Sequence, residues 1–519
     1  MRKHFKHASA ALALTLCASF GTLDAARAET VVNVGLKAAD ANALDPHLST
    51  KSGDKPIFAL IFNGLVRFKP GSMSPTQLEP DLAESWEVSP DGKVWTFKLR
   101  KGVKFHHGYG ALTADDVVYS LTRAGDPKRS SVSSDYSPFE KIEAVDPHTV
   151  RITLKTPVPS LLGLVANYHG GNIVSKKAAE ELGEGFKQKP VGTGPFMFQD
   201  YKAKQGITLA ANKDYFRGQP KIDKLEFKFV PSDSSRELAF KNGELDIFTG
   251  KREESWVKRM KNGGNLTVDV FEPGELRTLH LNTKAKPLDD IRVRKAIAHA
   301  LNRKDFIRLV GDSVTRESWS PVPNGYLGHS SDLPKYEYNL DKAKALMKEA
   351  GHEKGFKLSA IITKRSALLR PMQVVQAQLK KIGIDLDLNV VEHSAFHAQI
   401  RKDLSPMVLY GAARFPVADT YLTQFYHGKS RVGTPTAVTN FNHCDVADAD
   451  IDNARKEPDP KKQAQLWAAA QRKLMENVCS VPLFEQLQVW ARRNSVDYGY
   501  ELDGALSLGP LFTEASAKK

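Results

Sequence analysis

Long apolar runs are absent from this 519-residue chain once its first 28 residues are set aside. No later stretch approaches ~18 unbroken apolar residues, which is about the minimum for a helix that spans a bilayer. Hydrophobic residues make up 41% and charged residues 26% of the chain, as in ordinary globular proteins. We therefore expect a soluble mature protein, with two or more domains because of its length, whose membrane partners are separate chains.

A dense block of positive charge is also missing. The chain has 74 Lys and Arg residues against 60 Asp and Glu residues, a formal net charge of +14, but the basic residues are spread along the whole sequence. Scattered charge is typical of solvated faces, whereas nucleic-acid binding requires a basic patch. We expect no nucleic-acid partner.

Catalytic motifs are missing too. The chain has no G-x-S-x-G, no H-E-x-x-H and no P-loop. The Gly-rich segment Pro190–Phe196 (PVGTGPF) is followed by a predicted strand rather than by Gly-Lys-Ser/Thr and a helix, which argues against phosphate binding. We expect neither catalysis nor a cofactor. An exported hydrolase and a structural or chaperone-like envelope protein remain as alternatives of other classes.

Cysteine is scarce, with three residues in the whole chain. Cys17 is preceded by Leu16 rather than by a small residue, which argues against a lipoprotein. Cys444 and Cys479 flank what reads as a single helical segment. In an oxidising compartment an even number of cysteines predicts a disulfide, with two buried free thiols as the alternative.

The first 28 residues have the pattern of a cleaved export signal. Three early basic residues precede the apolar run Ala8–Phe20, and Ala26–Ala28 is an A-x-A sequence. The apolar run is too short to span a bilayer comfortably. We expect export to the periplasm and cleavage after Ala28.

The segment from Leu82 to Leu121 is the most informative one that is present. It reads LAESWEVSPDGKVWTFKLRKGVKFHHGYGALTADDVVYSL. The Ser89–Gly92 turn joins two predicted strands, and Thr113 caps a predicted helix. His106 and His107 are expected on a strand, where they would point to opposite faces.

Further along, strands alternate with helices. The amphipathic run Leu288–Val310 (LDDIRVRKAIAHALNRKDFIRLV) predicts one long helix, and Pro460–Asn477 predicts another. The segment Ile384–Val391 reads as a strand after a helix that ends at Gly383. Alternating strands and helices indicate α/β structure.

Together with PVGTGPF and Asn212–Pro220 (NKDYFRGQP), the Leu82–Leu121 segment resembles the extracytoplasmic solute-binding proteins of peptide and nickel ABC transporters, family 5. The similarity continues to about residue 490. It implies an α/β, two-lobed periplasmic binding protein of class II type with hinge strands and an extra subdomain in the first lobe. The implied boundaries are residues 29–276 with 486–519 for lobe I, 65–188 for its subdomain, and 277–485 for lobe II.

The resemblance also implies a function and partners. The chain is expected to be a monomer that captures a small solute between its lobes, most simply a short peptide, and delivers it to membrane-embedded ABC permease subunits. An opine, an oligosaccharide, another anionic compound or a metal complex are alternative ligands, because one scaffold serves many ligands.

The segment Met407–Tyr426 is where peptide-binding members have an acidic residue that holds the ligand's α-amino group. Asp419 is its expected counterpart, with a helix N-cap as the structural alternative. Arg414 stands where the family has neutral or acidic residues, which makes an anionic ligand plausible. The full set of predicted ligand-binding residues is Asp419, Arg414, Tyr421, Tyr410, Asn282 and Thr193.

Metal binding is not expected, although two pairs of closely spaced residues leave it as an alternative. His393 and His397 are four residues apart and could share a helical face, and His443 is adjacent to Cys444. Each histidine is expected to be structural or solvent-facing.

Overall fold

The structure is a computed structural model that describes residues 29–41, 43–49, 52–158, 160–433 and 439–519. The predicted export signal, residues 1–28, lies outside the described residues. In the described ranges, no helix has both the length and the apolar character needed to cross a membrane.

The described residues form strands and helices in alternation, as the sequence predicts. The strands are β1 (Val31–Leu36), β2 (Val66–Phe68), β3 (Leu78–Pro80), β4 (Ala83–Val88), β5 (Val94–Leu99), β6 (Phe139–Asp146), β7 (Thr149–Leu154), β8 (Phe196–Lys202), β9 (Gly206–Ala211), β10 (Lys224–Phe229), β11 (Ile247–Thr249), β12 (Leu266–Leu281), β13 (Thr315–Glu317), β14 (Phe356–Thr363), β15 (Ile384–Val391), β16 (Met407–Ala412), β17 (Ser480–Arg493), β18 (Val496–Asp497) and β19 (Ala517–Lys518). The helices are α1 (Lys55–Ile61), α2 (Ala114–Gly125), α3 (Leu161–Leu164), α4 (Lys176–Leu182), α5 (Asp233–Lys241), α6 (Glu254–Lys261), α7 (Ile291–Ala300), α8 (Arg303–Val310), α9 (Leu340–Glu349), α10 (Ser366–Lys380), α11 (His393–Arg401), α12 (Ala418–Tyr426), α13 (Asp448–Lys456) and α14 (Pro460–Glu476).

One nine-stranded sheet runs through the molecule in the order β16-β12-β17-β11-β1-β10-β9-β8, with β13 also paired to β17. β1 is parallel to β10 and β11, whereas β12 is antiparallel to both β16 and β17. A separate four-stranded sheet, β4-β5-β7-β6, lies within residues 83–154. The nine-stranded sheet is therefore mixed, whereas the four-stranded sheet is antiparallel.

The two longest strands, β12 and β17, connect two regions with separate apolar cores. One core is built mainly from residues between 32 and 229, and the other from residues between 279 and 484. The pairing of β12 with β17 is interrupted between Phe271 and Glu275, resumes with Glu275 opposite Gln486 and continues with Leu276 opposite Glu485. The expected lobe boundaries fall at this last pair, and the division of the chain at those residues stays a prediction.

The hairpin predicted from the Ser89–Gly92 turn is present. β4 and β5 pair with Trp86 opposite Phe97, and Gly92 has a φ of 68° that its missing side chain allows. Helix α2 begins after Thr113 with the predicted cap, in which Asp116 completes a capping box. The sequence predicted the hairpin and the helix cap correctly because the residues that form each of them lie close together in the chain.

Two local predictions were wrong. His106 and His107 lie in a short 3-10 turn, not on a strand, and His107 has a positive φ of 56°. The single helix expected over Leu288–Val310 is two helices, α7 and α8. The break comes at Asn302, whose side chain caps α8 by accepting a hydrogen bond from the backbone of Lys304, so a local cap overrides the continuous apolar pattern.

The disulfide between Cys444 and Cys479 is present. Both cysteines are buried, at 3% and 0% exposure, beside Trp467 and Leu474. The intervening segment holds two helices, α13 and α14, rather than the expected single helical segment. The bridge ties the start of this helical pair to the start of β17.

Candidate functional site

Four of the six predicted ligand residues lie together where β16 leaves the sheet. Register pairs Tyr410 with Thr278 of β12, so the loop that follows β16 emerges close to the crossing strands. The ring centroid of Tyr421 lies 5.3 Å from that of Phe425, and the ring centroid of Tyr410 lies 6.0 Å from that of Phe425. Tyr410, Tyr421 and Phe425 line a small cavity together with Thr278 and His280.

Arg414 is the cation of this group. Its Nε donates to Gln424 Oε1 at 2.6 Å, and its guanidinium carbon lies 5.2 Å from the ring centroid of Phe425. Among the described residues, no carboxylate comes within ion-pair distance of Arg414. A partly buried guanidinium with an aromatic support and no carboxylate partner is suited to an anionic ligand.

Asp419, in contrast, already has a partner. Its Oδ1 lies 3.1 Å from Nε of Arg455, and the residue is 7% exposed. Burial raises the pKa of Asp419, and the neighbouring Arg455 opposes this effect. Asp419 lies inside the first turn of α12, whose N-cap is Val417, so the N-cap alternative is wrong.

The loop after β16 and helix α12 also contact Phe68 and Asp135 from the first part of the chain. Gln424 Nε2 donates to Asp135 Oδ1 at 3.3 Å. Burial raises the pKa of Asp135 to about 6, although the charge of Arg414 opposes this shift. The Phe415 ring packs against Phe68, with centroids 5.7 Å apart. These contacts join two parts of the chain that have separate cores.

Thr193 and Asn282 lie outside this group. Thr193 is buried and donates to Asn63 Oδ1 at 2.9 Å. The flanking Gly192 and Gly194 are needed because a Cβ at either position would lie 2.1–2.2 Å from a backbone oxygen at the end of α1. Asn282, just past β12, accepts from the backbone of Lys284 at 3.0 Å and forms a turn there.

The sequence did not predict a second polar pocket, which lies beside α1. Lys55 Nζ donates to Tyr168 Oη at 3.0 Å, and Lys55, Tyr168, His169 and Asn172 line a pocket beside α1. Burial lowers the pKa of His169 well below its usual range, and the charges of Lys55 and Arg414 lower it further. Arg414 is therefore close enough to this pocket for its charge to act on His169. No sequence motif marks these residues.

Charged residues also cluster on and beside the paired strands β12 and β17. Glu275 lies 3.1 Å from Arg252 and 2.7 Å from Arg277, measured between side-chain nitrogen and oxygen. Burial would raise the pKa of Glu275, but Arg252 and Arg277 hold it at about 2. Burial lowers the pKa of Arg365, and the charge of Glu275 opposes this shift.

Glu485 is a second acidic residue at the pairing of β12 with β17. It is 2% exposed and accepts hydrogen bonds from Asn324, at 2.9 Å from the backbone nitrogen and 2.8 Å from Nδ2. Burial raises the pKa of Glu485 to about 7, with Arg316 opposing and Glu272 reinforcing the shift. The hinge-like crossing thus contains a carboxyl group that titrates near neutral pH.

The residues considered as metal ligands were His393 with His397, and His443 with Cys444. His393 Nε2 and His397 Nε2 lie 3.2 Å apart on α11, and burial lowers the pKa of both imidazoles to about 4. Cys444 is in the disulfide, so its sulfur is not free beside His443. Within the described ranges, no group of three or more His, Cys, Asp or Glu side chains could hold a metal ion.

Comparison with known proteins gives the family. Residues 77–432 match the family model of bacterial extracellular solute-binding proteins, family 5. The Di/tripeptide-binding protein 2 of Pseudomonas aeruginosa is 32% identical over 477 residues, which cover 85% of this chain and 87% of that protein.

Solved structures agree. MoaA of A. tumefaciens R10, in complex with mannopinic acid, is 47% identical with a TM-score of 0.88, and the match covers 95% of this chain and 100% of MoaA. The periplasmic binding protein DppA of Helicobacter pylori, in complex with the peptide STSA, is 30% identical with a TM-score of 0.82, covering 94% and 98% of the two chains.

The fold and the site thus define a two-lobed α/β binding protein of the kind that serves ABC importers. This chain belongs to the bacterial extracellular solute-binding proteins, family 5. The family predicted from the sequence is confirmed, as is its role in solute capture for transport.

Proposed function

We propose that this protein is exported to the periplasm with cleavage after Ala28, captures a small carboxylate-bearing solute of the opine type between its lobes, and releases it unchanged to an ABC permease. The division into lobes at residues 276/277 and 485/486 is part of this proposal. The two lobes close around the solute by bending at β12 and β17.

One observation carries the choice of ligand. Arg414 has no carboxylate partner in the described part of the chain, whereas the nearby acidic residue Asp419 is paired with Arg455 at 3.1 Å. A peptide ammonium needs a free carboxylate, and a ligand carboxylate needs a free guanidinium. The unpaired guanidinium of Arg414 therefore favours a ligand that places a carboxylate at this position. The 47% identity to MoaA, which was solved with mannopinic acid, supports the same class.

A short peptide is the second candidate, and it was the first expectation from the sequence. It is supported by the 32% identity to a di/tripeptide-binding protein and by the DppA structure with the peptide STSA. Peptides also carry a carboxylate, so both candidates can use Arg414.

Isothermal titration calorimetry on the mature protein tests the proposal, with mannopinic acid, dipeptides and tetrapeptides as ligands. Arg414→Gln should weaken mannopinic acid binding about 10- to 100-fold, because a charge-assisted hydrogen bond is lost. Arg472→Gln is the matched control, since Arg472 forms an exposed ion pair with Asp332. Tight peptide binding without any binding of mannopinic acid would select the second candidate.

Mass spectrometry of the bound solute tests the absence of catalysis. A solute recovered at its original mass after prolonged incubation supports a carrier. A changed mass would point to the exported hydrolase instead.

A further inference from the structure

The pocket beside α1 contains polar atoms that have no partner. Asn172 is 1% exposed, and its Oδ1 is buried without a hydrogen bond in the described part of the chain. The same is true of His169 Nε2. Burying a polar atom without a partner costs about 1–3 kcal/mol, so such atoms in a pocket wall point to a ligand group.

The orientation of these groups is fixed by their neighbours. Asn172 Nδ2 donates to the backbone oxygen of His169 at 2.8 Å, which leaves Oδ1 as the acceptor without a partner. Lys55 Nζ donates to Tyr168 Oη, and its distance from the centroid of the Tyr168 ring is 4.7 Å. No described carboxylate forms an ion pair with Lys55. The lining of this one pocket therefore offers both a cationic donor and a neutral acceptor.

This combination discriminates between ligand groups. A carboxylate would satisfy Lys55 but would face the lone pairs of Asn172 Oδ1. An ammonium would satisfy Asn172 but would be repelled by Lys55. An alkyl chain would leave both groups unsatisfied. A hydroxyl group both donates and accepts, so the hydroxyl groups of one chain can satisfy both Asn172 Oδ1 and Lys55.

We propose that the pocket formed by Lys55, Tyr168, His169 and Asn172 is a hydroxyl-recognition subsite that holds the polyhydroxylated part of the solute. The inference rests on the proposed function, in which the solute's carboxylate lies at Arg414. The ligand class is thereby narrowed to acids that carry a sugar-derived hydroxylated chain.

Calorimetry with two matched acids tests the subsite. One is mannopinic acid, which has a hydroxylated hexyl chain, and the other has an unsubstituted hexyl chain on the same acid. The wild-type protein should prefer the hydroxylated acid about 100-fold or more, because the alkyl chain leaves buried polar groups unpaired. Lys55→Met and Asn172→Leu should each reduce this ratio about tenfold.

Two controls separate the subsite from other effects. Lys69→Met, at an exposed lysine, should leave the ratio unchanged. Arg414→Gln should weaken both acids alike and keep the ratio. Circular dichroism melting verifies that each variant folds, and Lys55→Met provides the answer if Asn172→Leu does not fold.

Equal wild-type affinity for the two acids would overturn the subsite and leave the carboxylate proposal standing. A wild-type preference that neither pocket variant reduces would also overturn it. If neither acid binds the wild-type protein, the proposed function fails as well, which is a different and recognisable result.

Discussion

Phe415 packs directly over Gly163. A Cβ added at Gly163 would lie 2.2 Å from Cζ of Phe415, so the two residues can meet only because position 163 has no side chain. Gly163 is in α3, which packs with the core of residues 32–229, and Phe415 belongs to a different apolar cluster around α12. The contact therefore joins two separate apolar clusters, one of which contains Tyr421 of the candidate site.

The first prediction concerns this contact. Gly163→Ala should weaken solute binding about tenfold, because overpacking at the interface costs about 1–3 kcal/mol in the closed form only. Small-angle scattering should show a larger radius of gyration for the variant at a given solute concentration. Gly185→Ala is the matched control, since a Cβ there would meet nothing within 4 Å. Equal affinities for the variant and the wild type would contradict a role in closure.

The second prediction concerns Asp419 and Arg455. Arg455→Met should lower the free energy of unfolding by about 1–2 kcal/mol, because it leaves a buried carboxylate unpaired, and partial exposure of Arg455 moderates the loss. The loss should be larger at pH 8 than at pH 5, because protonation removes the unpaired charge of Asp419. Chemical denaturation at both pH values measures it.

Asp419→Asn in the same background is the control for this pair. The double variant should recover most of the loss at pH 8, since the unpaired charge is gone. If solute affinity fell strongly in Asp419→Asn alone, Asp419 would contact the ligand, as the sequence first suggested.

Sequence patterns predicted those features that nearby residues determine. The β4–β5 hairpin follows from Asp91 and Gly92 in the turn, and the cap of α2 follows from Thr113 and Asp116. The break between α7 and α8 was missed although Asn302 is a good N-cap, because a continuous apolar face on both sides concealed it.

The site was predicted only in part. Residue types near Arg414 and Asp419 pointed to the loop where four of the predicted residues lie together, but the pairing of Asp419 with Arg455 depends on how α12 and α13 pack. The pocket of Lys55 and Asn172 brings together residues more than a hundred positions apart. No local pattern encodes such a contact, which arises from the tertiary fold.

The third prediction is a pH dependence set by Glu485. Burial raises the pKa of this carboxyl to about 7 in the folded protein, whereas it is about 4.5 in the unfolded chain. The folded state therefore holds a proton that the unfolded state releases as the pH rises above about 4.5. The contribution of Glu485 to stability is complete below that pH and is lost as the pH rises through about 7.

Glu485→Gln should remove this loss, which amounts to at most about 3 kcal/mol between pH 4.5 and pH 8. Urea unfolding of the variant and the wild type across this range measures the difference in slope. Glu180→Gln, at an exposed helical position, should follow the wild type. Parallel curves for Glu485→Gln and the wild type would show that folding does not raise the pKa of Glu485.

The fourth prediction concerns the bridge between Cys444 and Cys479, which are 35 residues apart in sequence. Replacing both cysteines by serine should lower the free energy of unfolding by about 3–4 kcal/mol, because the unfolded chain regains the freedom that the closed loop removes. The midpoint of urea unfolding measures this loss. A reducing agent should shift the wild type towards the double variant and leave the double variant unchanged. Thiol titration of the unfolded, unreduced mature protein should find no free thiol, and two free thiols per chain would show that the cysteines are buried but not bonded.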